Sequence, residues 1–297
     1  MKKVILILAA GLSILLFSGC ESSVTDANES GKYGKAVLKS PANSKVVNPA
    51  DTKVTITKTK DKIFTKEMST YGIIFKSMNE VPDAFLTDVA KAYQQMFSQT
   101  GSLDSKSQKK VLNALQQYNA MLPVLNGDHD KLSAEANKEL NKFQSEKYSV
   151  CDVISYKVHH QTMEVVEHLL HTITDVGLFY AYPNEWAFNK KTSLICKSME
   201  NAVQKKYFNL SSYQNIKKND VETYQRVIVQ EYAYWIITTY WNLQEPYGLN
   251  EVGEWSIKNQ EELKQKLPDA YNLVKNTIDK IMKAPSTAIL EKLKTYE

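Results

Sequence analysis

Val158–Val176 reads VHHQTMEVVEHLLHTITDV. Plotted at about 100° per residue, the stretch divides into two stripes. His160, Glu164, Glu167, His168, His171 and Asp175 share a sector of about 100°. Val158, Val165, Leu169, Ile173 and Val176 occupy the opposite face. One stripe is the buried seam of a helix; the other is a column of carboxylates and imidazoles. A solvated face in this chain should carry lysines. Yet no Lys or Arg occurs from Val158 to Asn189, although the protein has 37 of them. Acids and imidazoles without cations suit a cavity that holds a metal ion.

Val227–Ile257 is a second stretch free of Lys and Arg. Its helical part is apolar on all sides. Tyr224, Val227, Ile228, Tyr234 and Trp235 lie around Glu231, and Val229, Ala233, Ile236, Ile237 and Tyr240 lie opposite. Such a helix is central, and its carboxylate must be protonated, paired or metal-bound. The pattern predicts that the two helices pack together around one divalent ion. Glu167 and His171, at i and i+4, supply two ligands, and Glu231 supplies a third. His168 or His160 could add a fourth. Mixed imidazole and carboxylate ligation suits zinc first, then iron or manganese.

Working outward, the rest of the chain reads as mostly helical. Helices are expected near 82–98, 104–121, 130–147, 152–180, 184–207, 219–244, 259–283 and 286–295. Asn126-Gly127 and Pro183 act as breaks, and Asn219-x-x-Glu222 reads as a capping box. Lys53–Thr59 and Tyr71–Phe75 suggest a small N-terminal β-ribbon. The expected fold is a single α-helical domain over 51–297, built on two buried central helices. Apolar residues at 43%, charged residues at 24% and a net charge of +4 fit a globular chain and exclude a dedicated nucleic-acid binder.

The N-terminus resembles a bacterial lipoprotein signal. Met1-Lys2-Lys3 precedes an apolar run from Val4 to Phe17, and Ser18-Gly19-Cys20 follows. The run is too short to span a bilayer comfortably. The resemblance implies removal of residues 1–19 and lipidation of Cys20, which would anchor the chain to the cell envelope. Phe17 stands where Leu is usual. Glu21, rather than Asp, after the cysteine favours the outer membrane over the inner. Residues 20–50 are poor in large apolar side chains and read as a flexible tether.

Cys151 and Cys196 are expected to stay free. A continuous 152–180 helix would hold them roughly 25 Å apart, a bar that a break near His159-His160 would remove. The aromatic residues of the second helix spread around its circumference, as core side chains do, and form no carbohydrate platform. Known catalytic motifs are absent. Glu167-His168-x-x-His171 exchanges the first two residues of the His-Glu-x-x-His zincin motif, and no Glu lies three residues before either histidine. No Gly-rich phosphate loop or Gly-x-Ser-x-Gly elbow occurs.

Several short stretches together resemble an uncharacterised family of secreted α-helical proteins. They are Val81-Pro82-Asp83, Glu167-His168-Leu169-Leu170-His171 with Gly177 and Tyr182-Pro183, Glu231-Tyr232-Ala233-Tyr234-Trp235, and Glu254-Trp255. The resemblance covers about residues 70–290. The chain departs from it at His168, where the family has a second Glu, and at Asp88, where many members have His. The resemblance implies metal binding without a reaction and makes Asp88 a further candidate ligand.

Three functions fit these observations. The first is a membrane-anchored, zinc-dependent hydrolase of peptidase type, with Glu164 or His168 as base. The second is a lipoprotein that captures metal without turnover. The third is a structural or adhesion lipoprotein whose polar stripe only specifies helix packing.

Overall fold

The computed structural model describes residues 47, 53–98, 103–145, 148–248 and 253–297. The signal segment, Cys20 and all of the tether except Val47 lie outside them. Five strands form one mixed sheet in chain order: β1 (Thr57–Lys58), β2 (Lys66–Thr70), β3 (Ile73–Ser77), β4 (Met121–Asn126) and β5 (Ile154–Tyr156). The first three are antiparallel neighbours, whereas β3, β4 and β5 run parallel. The expected N-terminal ribbon is thus only one edge of a larger sheet. Within Lys53–Thr59, only Thr57 and Lys58 pair.

Parallel neighbours cannot be joined by a tight turn, so helices carry the chain across. α1 (Asp83–Met96) and α2 (Ser105–Gln117) link β3 to β4, and α3 (Ala134–Ser145) links β4 to β5. The sequence of β4, MLPVLN, is buried from Met121 to Leu125, as expected for a strand covered on both faces. α2 stops at Gln117, short of the expected 104–121 helix, and β4 begins at Met121. The Asn126-Gly127 pair therefore follows a strand instead of separating two helices.

The β2–β3 turn places Tyr71 and Gly72 at φ of 45° and 87°. Two positive values are what a tight hairpin of the right twist requires. Gly72 also presses on α2, where a Cβ would lie 2.5 Å from the Leu112 carbonyl oxygen.

Beyond the sheet the chain is helical. α4 (Gln161–Thr172) continues into a wide π-type turn (Ile173–Leu178) and then α5 (Phe179–Ala181). α6 (Pro183–Trp186), α7 (Leu194–Gln204), α8 (Gln214–Asn219), α9 (Val221–Tyr240), α10 (Gln244–Tyr247), α11 (Gln260–Lys266), α12 (Pro268–Ile281) and α13 (Thr287–Lys294) follow. The mostly helical expectation holds, but the expected 152–180 helix starts late. Ile154–Tyr156 is strand, and His160 takes a left-handed φ of 59° just before α4. The Gln161 side chain fixes this junction, donating to the Ser155 carbonyl at 2.8 Å and accepting from the Lys157 N–H at 2.6 Å. The expected 184–207 and 259–283 helices are each broken in two.

α4 and α9 pack together at the centre, as the two cation-free stretches suggested. Asp220, not Asn219, caps α9 by accepting from the Thr223 N–H at 3.0 Å. Tyr232, Tyr234 and Tyr240 are buried in the core, so the aromatics pack as expected. Each such side chain contributes on the order of 1.5–3 kcal/mol. Both Cys151 and Cys196 are free and buried. No helix among the described residues is long and apolar enough to cross a membrane.

Candidate metal centre

α4 brings Glu164, Glu167, His168 and His171 to its junction with α9, which supplies Gln230 and Glu231. Asp152, just ahead of β5, enters from the sheet side. His171 is the hinge of the cluster. Its Nδ1 lies 2.6 Å from Asp152 Oδ2, and its Nε2 lies 3.6 Å from Glu231 Oε2. Asp152 can only accept, so His171 directs an Nδ1–H at it, while Gln230 Nε2 lies 2.9 Å from the same nitrogen and His171 Nε2 faces Glu231. This Nε2 is fully buried and has no hydrogen-bond partner. A buried nitrogen without a hydrogen bond is costly, and a metal ion shared with Glu231 would satisfy it.

Two sets of three side chains come within ligating distance. The atoms offered by Glu167, His171 and Glu231 all lie within 4.8 Å of one another, as do those of Asp152, His168 and His171. The distances separate their roles. Ligand atoms around a tetrahedral ion with bonds of about 2.1 Å sit about 3.4 Å apart. The 3.6 Å separation of His171 Nε2 and Glu231 Oε2 matches that spacing. The 2.6 Å contact of Asp152 with His171 is instead a short, charge-assisted hydrogen bond. The first set is the candidate metal position. The second is placed to orient it, as a carboxylate behind a ligating histidine does.

His168 belongs to the orienting set. Its Nδ1 lies 3.0 Å from Asp152 Oδ2, and its Nε2 lies 3.2 Å from Glu164 Oε1. Glu164 Oε1 also accepts from the Ser155 N–H at 2.6 Å. Both ring nitrogens of His168 therefore face carboxylates, and the ring is held by its neighbours. His168 and Glu164, expected as candidate bases, are thus paired with each other and with Asp152 and the Ser155 N–H.

The electrostatics match this division. Burial would lower the pKa of both imidazoles. Glu231 and Asp152 overcome it at His171 and raise that group to about 10. Asp152 and Glu164 hold His168 well above its usual range. Burial would raise Asp152, but the two imidazoles keep it well below the usual carboxylate range. Glu167 is pushed up to about 8, first by burial and then by repulsion from Glu231. Without a cation, Glu167 retains its proton near neutral pH.

Asp175 and Asp88 stand apart. The π turn advances less than 100° per residue, so Asp175 leaves the α4 column. It pairs with Arg226 at 3.0 Å. Arg226 also donates to Gln230 Oε1, which turns the Gln230 amide nitrogen toward Asp152 at 3.2 Å. Asp88, on α1, accepts from the Tyr296 hydroxyl at 2.8 Å and pairs with Lys91 at 3.3 Å. It joins neither set and is not a ligand here. His160 joins neither set as well.

Glu254 was legible only through the resemblance. Its Oε1 accepts from the Tyr213 hydroxyl at 2.6 Å and from Trp235 Nε1 at 2.7 Å. Burial and then repulsion from Glu231 raise it to about 7. Sequence reading missed Asp152, Gln230 and Arg226 as site residues. Asp152 has no periodic signal because it precedes the helix. Arg226 abuts the second cation-free stretch, so the boundary itself was the clue.

No family model, curated protein or solved structure matches the chain.

Proposed function

We propose that this chain is a lipid-anchored envelope protein whose helical domain holds one divalent metal ion on Glu167, His171 and Glu231 and uses it for hydrolysis. One observation carries the reading: His171 Nε2 is buried, makes no hydrogen bond and faces Glu231 Oε2 at 3.6 Å, while its other nitrogen is fixed by Asp152. Three protein ligands leave a tetrahedral ion one open position, the arrangement of catalytic rather than structural zinc. An ion held there supplies Lewis acidity and makes water nucleophilic near neutral pH.

The chain's own residues do the remaining work. Asp152 holds the His171 tautomer, and Gln230 and Arg226 hold Asp152. Glu254, fixed by Tyr213 and Trp235 and titrating near neutrality, replaces Glu164 and His168 as the group that takes or gives a proton. Zinc is the first candidate, with iron or manganese next.

A second reading, metal capture without turnover, draws on the locked state of His168. In the His-Glu-x-x-His arrangement the residue after the first ligand is the base. Here that position is His168, which faces Asp152 and Glu164.

Elemental analysis of the purified protein beside Glu231→Ala and His171→Ala tests both readings. One metal ion per chain, lost in both variants, is expected. Hydrolysis of ester or peptide substrates that disappears with the metal selects the first reading. Stoichiometric, exchangeable metal without turnover selects the second. No metal under any loading condition refutes both.

A further inference from the structure

Outside the metal centre, one face of α2 combines charge with position. Lys106, Lys109 and Lys110 are exposed, and with Asn113 and Gln117 they recur at helical spacing along one stripe. The buried residues Gln108, Val111, Leu112 and Leu115 occupy the other side. α2 contains no acidic residue, and the Asp104 carboxylate before it is engaged in capping the Lys106 and Ser107 N–H groups. The backbone N–H of Asp104 donates to the Lys280 carbonyl at 2.7 Å, which brings another exposed lysine to the same end of the helix. Lys110 lies over the Tyr182 ring at 4.4 Å. Lys106, Lys109, Lys110, Asn113 and Tyr182 line a concave surface with Ser105 and Ser107.

The chain enters the described domain on this same stripe. The Val47 N–H donates to Asn113 Oδ1 at 3.0 Å, one turn along from Lys109 and Lys110. Val47 is separated from Cys20 by 26 residues. A coil of that length has a root-mean-square span of roughly 30 Å, comparable to the domain's own dimensions. An anchor at Cys20 therefore keeps the face where Val47 docks close to the bilayer.

We propose that the α2 face bearing Lys106, Lys109 and Lys110, extended by Lys280, rests on anionic headgroups of the bilayer that anchors the chain. The proposal rests on the lipid-anchor part of the reading above and is independent of the metal. Each lysine near an anionic surface contributes roughly fivefold to partitioning, so three contribute on the order of a hundredfold. The attraction fades within a Debye length of about 10 Å at moderate salt.

The test uses the full mature lipoprotein, extracted in detergent and reconstituted into two kinds of vesicle. One is phosphatidylcholine alone; the other also contains phosphatidylglycerol. Each lysine is followed by mass spectrometry during amine acylation. On the anionic vesicles, Lys106, Lys109 and Lys110 should react several-fold more slowly than on the neutral ones. Lys218 on α8 should not change, and high salt should abolish the difference. Equal rates on both vesicles, with the protein floating with each, overturn the proposal while leaving the anchor intact. Failure to float with either vesicle refutes the anchor, and the proposal with it.

Discussion

Replacing Asp152 by Asn tests the orientation of the metal centre. Asp152 Oδ2 is the acceptor at 2.6 Å that holds the His171 proton on Nδ1. The same oxygen accepts from Gln230 and faces His168 at 3.0 Å. Asparagine preserves the shape but can turn its amide N–H toward His171. That would favour the tautomer with its proton on Nε2, which blocks the ligating nitrogen. Loss of a carboxylate behind a ligating histidine typically weakens metal binding about 10- to 100-fold. On the usual scale this is about 1.4–2.7 kcal/mol. The empty protein also loses the anionic partner of two buried imidazoles, and breaking a buried ion pair costs about 3–5 kcal/mol. Zinc titration against a competing chelator reads the first effect, and thermal melting in chelator reads the second. A melting temperature that falls while zinc affinity stays unchanged would refute the orienting role and leave Asp152 a structural carboxylate. Unchanged affinity with unchanged stability would refute the geometry altogether.

Two further outcomes follow from the same structure. His171 at about 10 and Glu167 at about 8 are both protonated at neutral pH without metal, so binding must displace protons and affinity should rise with pH. Titration calorimetry in buffers of different ionisation enthalpy should show proton release at pH 7, and a buffer-independent heat would contradict the assignment. Gly72→Ala should destabilise the protein by about 2–4 kcal/mol, because φ is positive and the new Cβ meets the Leu112 carbonyl; a melting temperature within a degree of wild type would show that the turn relaxes freely.

The centre of the molecule was more legible than its edge. α4 and α9 announced themselves because burial removes lysines, and a stretch without cations survives in the sequence as a visible gap. Glu167, His171 and Glu231 were found this way. The sheet was harder to see. β4 follows α2 after only Tyr118-Asn119-Ala120, and its six residues show no alternation of apolar and polar side chains to mark a strand. Asp152 was hidden for the opposite reason. It works through one contact made in three dimensions, from a position that shares no period with its partners. His168 shows the limit of helical-wheel reasoning. It lies on the same sector as the ligands, yet its ring is held between Glu164 of its own helix and Asp152, which a wheel does not contain.

The wide turn at Ile173–Leu178 amounts to one extra residue inserted in an otherwise continuous helix. Everything after it is rotated by about 100° relative to a regular continuation. Gly177 meets Val111 and Leu115 of α2, and Tyr180 stacks on Tyr118 with ring centroids 3.4 Å apart, in that rotated frame. Removing a single residue from the turn would regularise the helix and misdirect both contacts. This stretch should therefore accept substitution more readily than any change in length, and the spacing from His171 to Tyr180 becomes a fixed ruler between the candidate metal centre and α2.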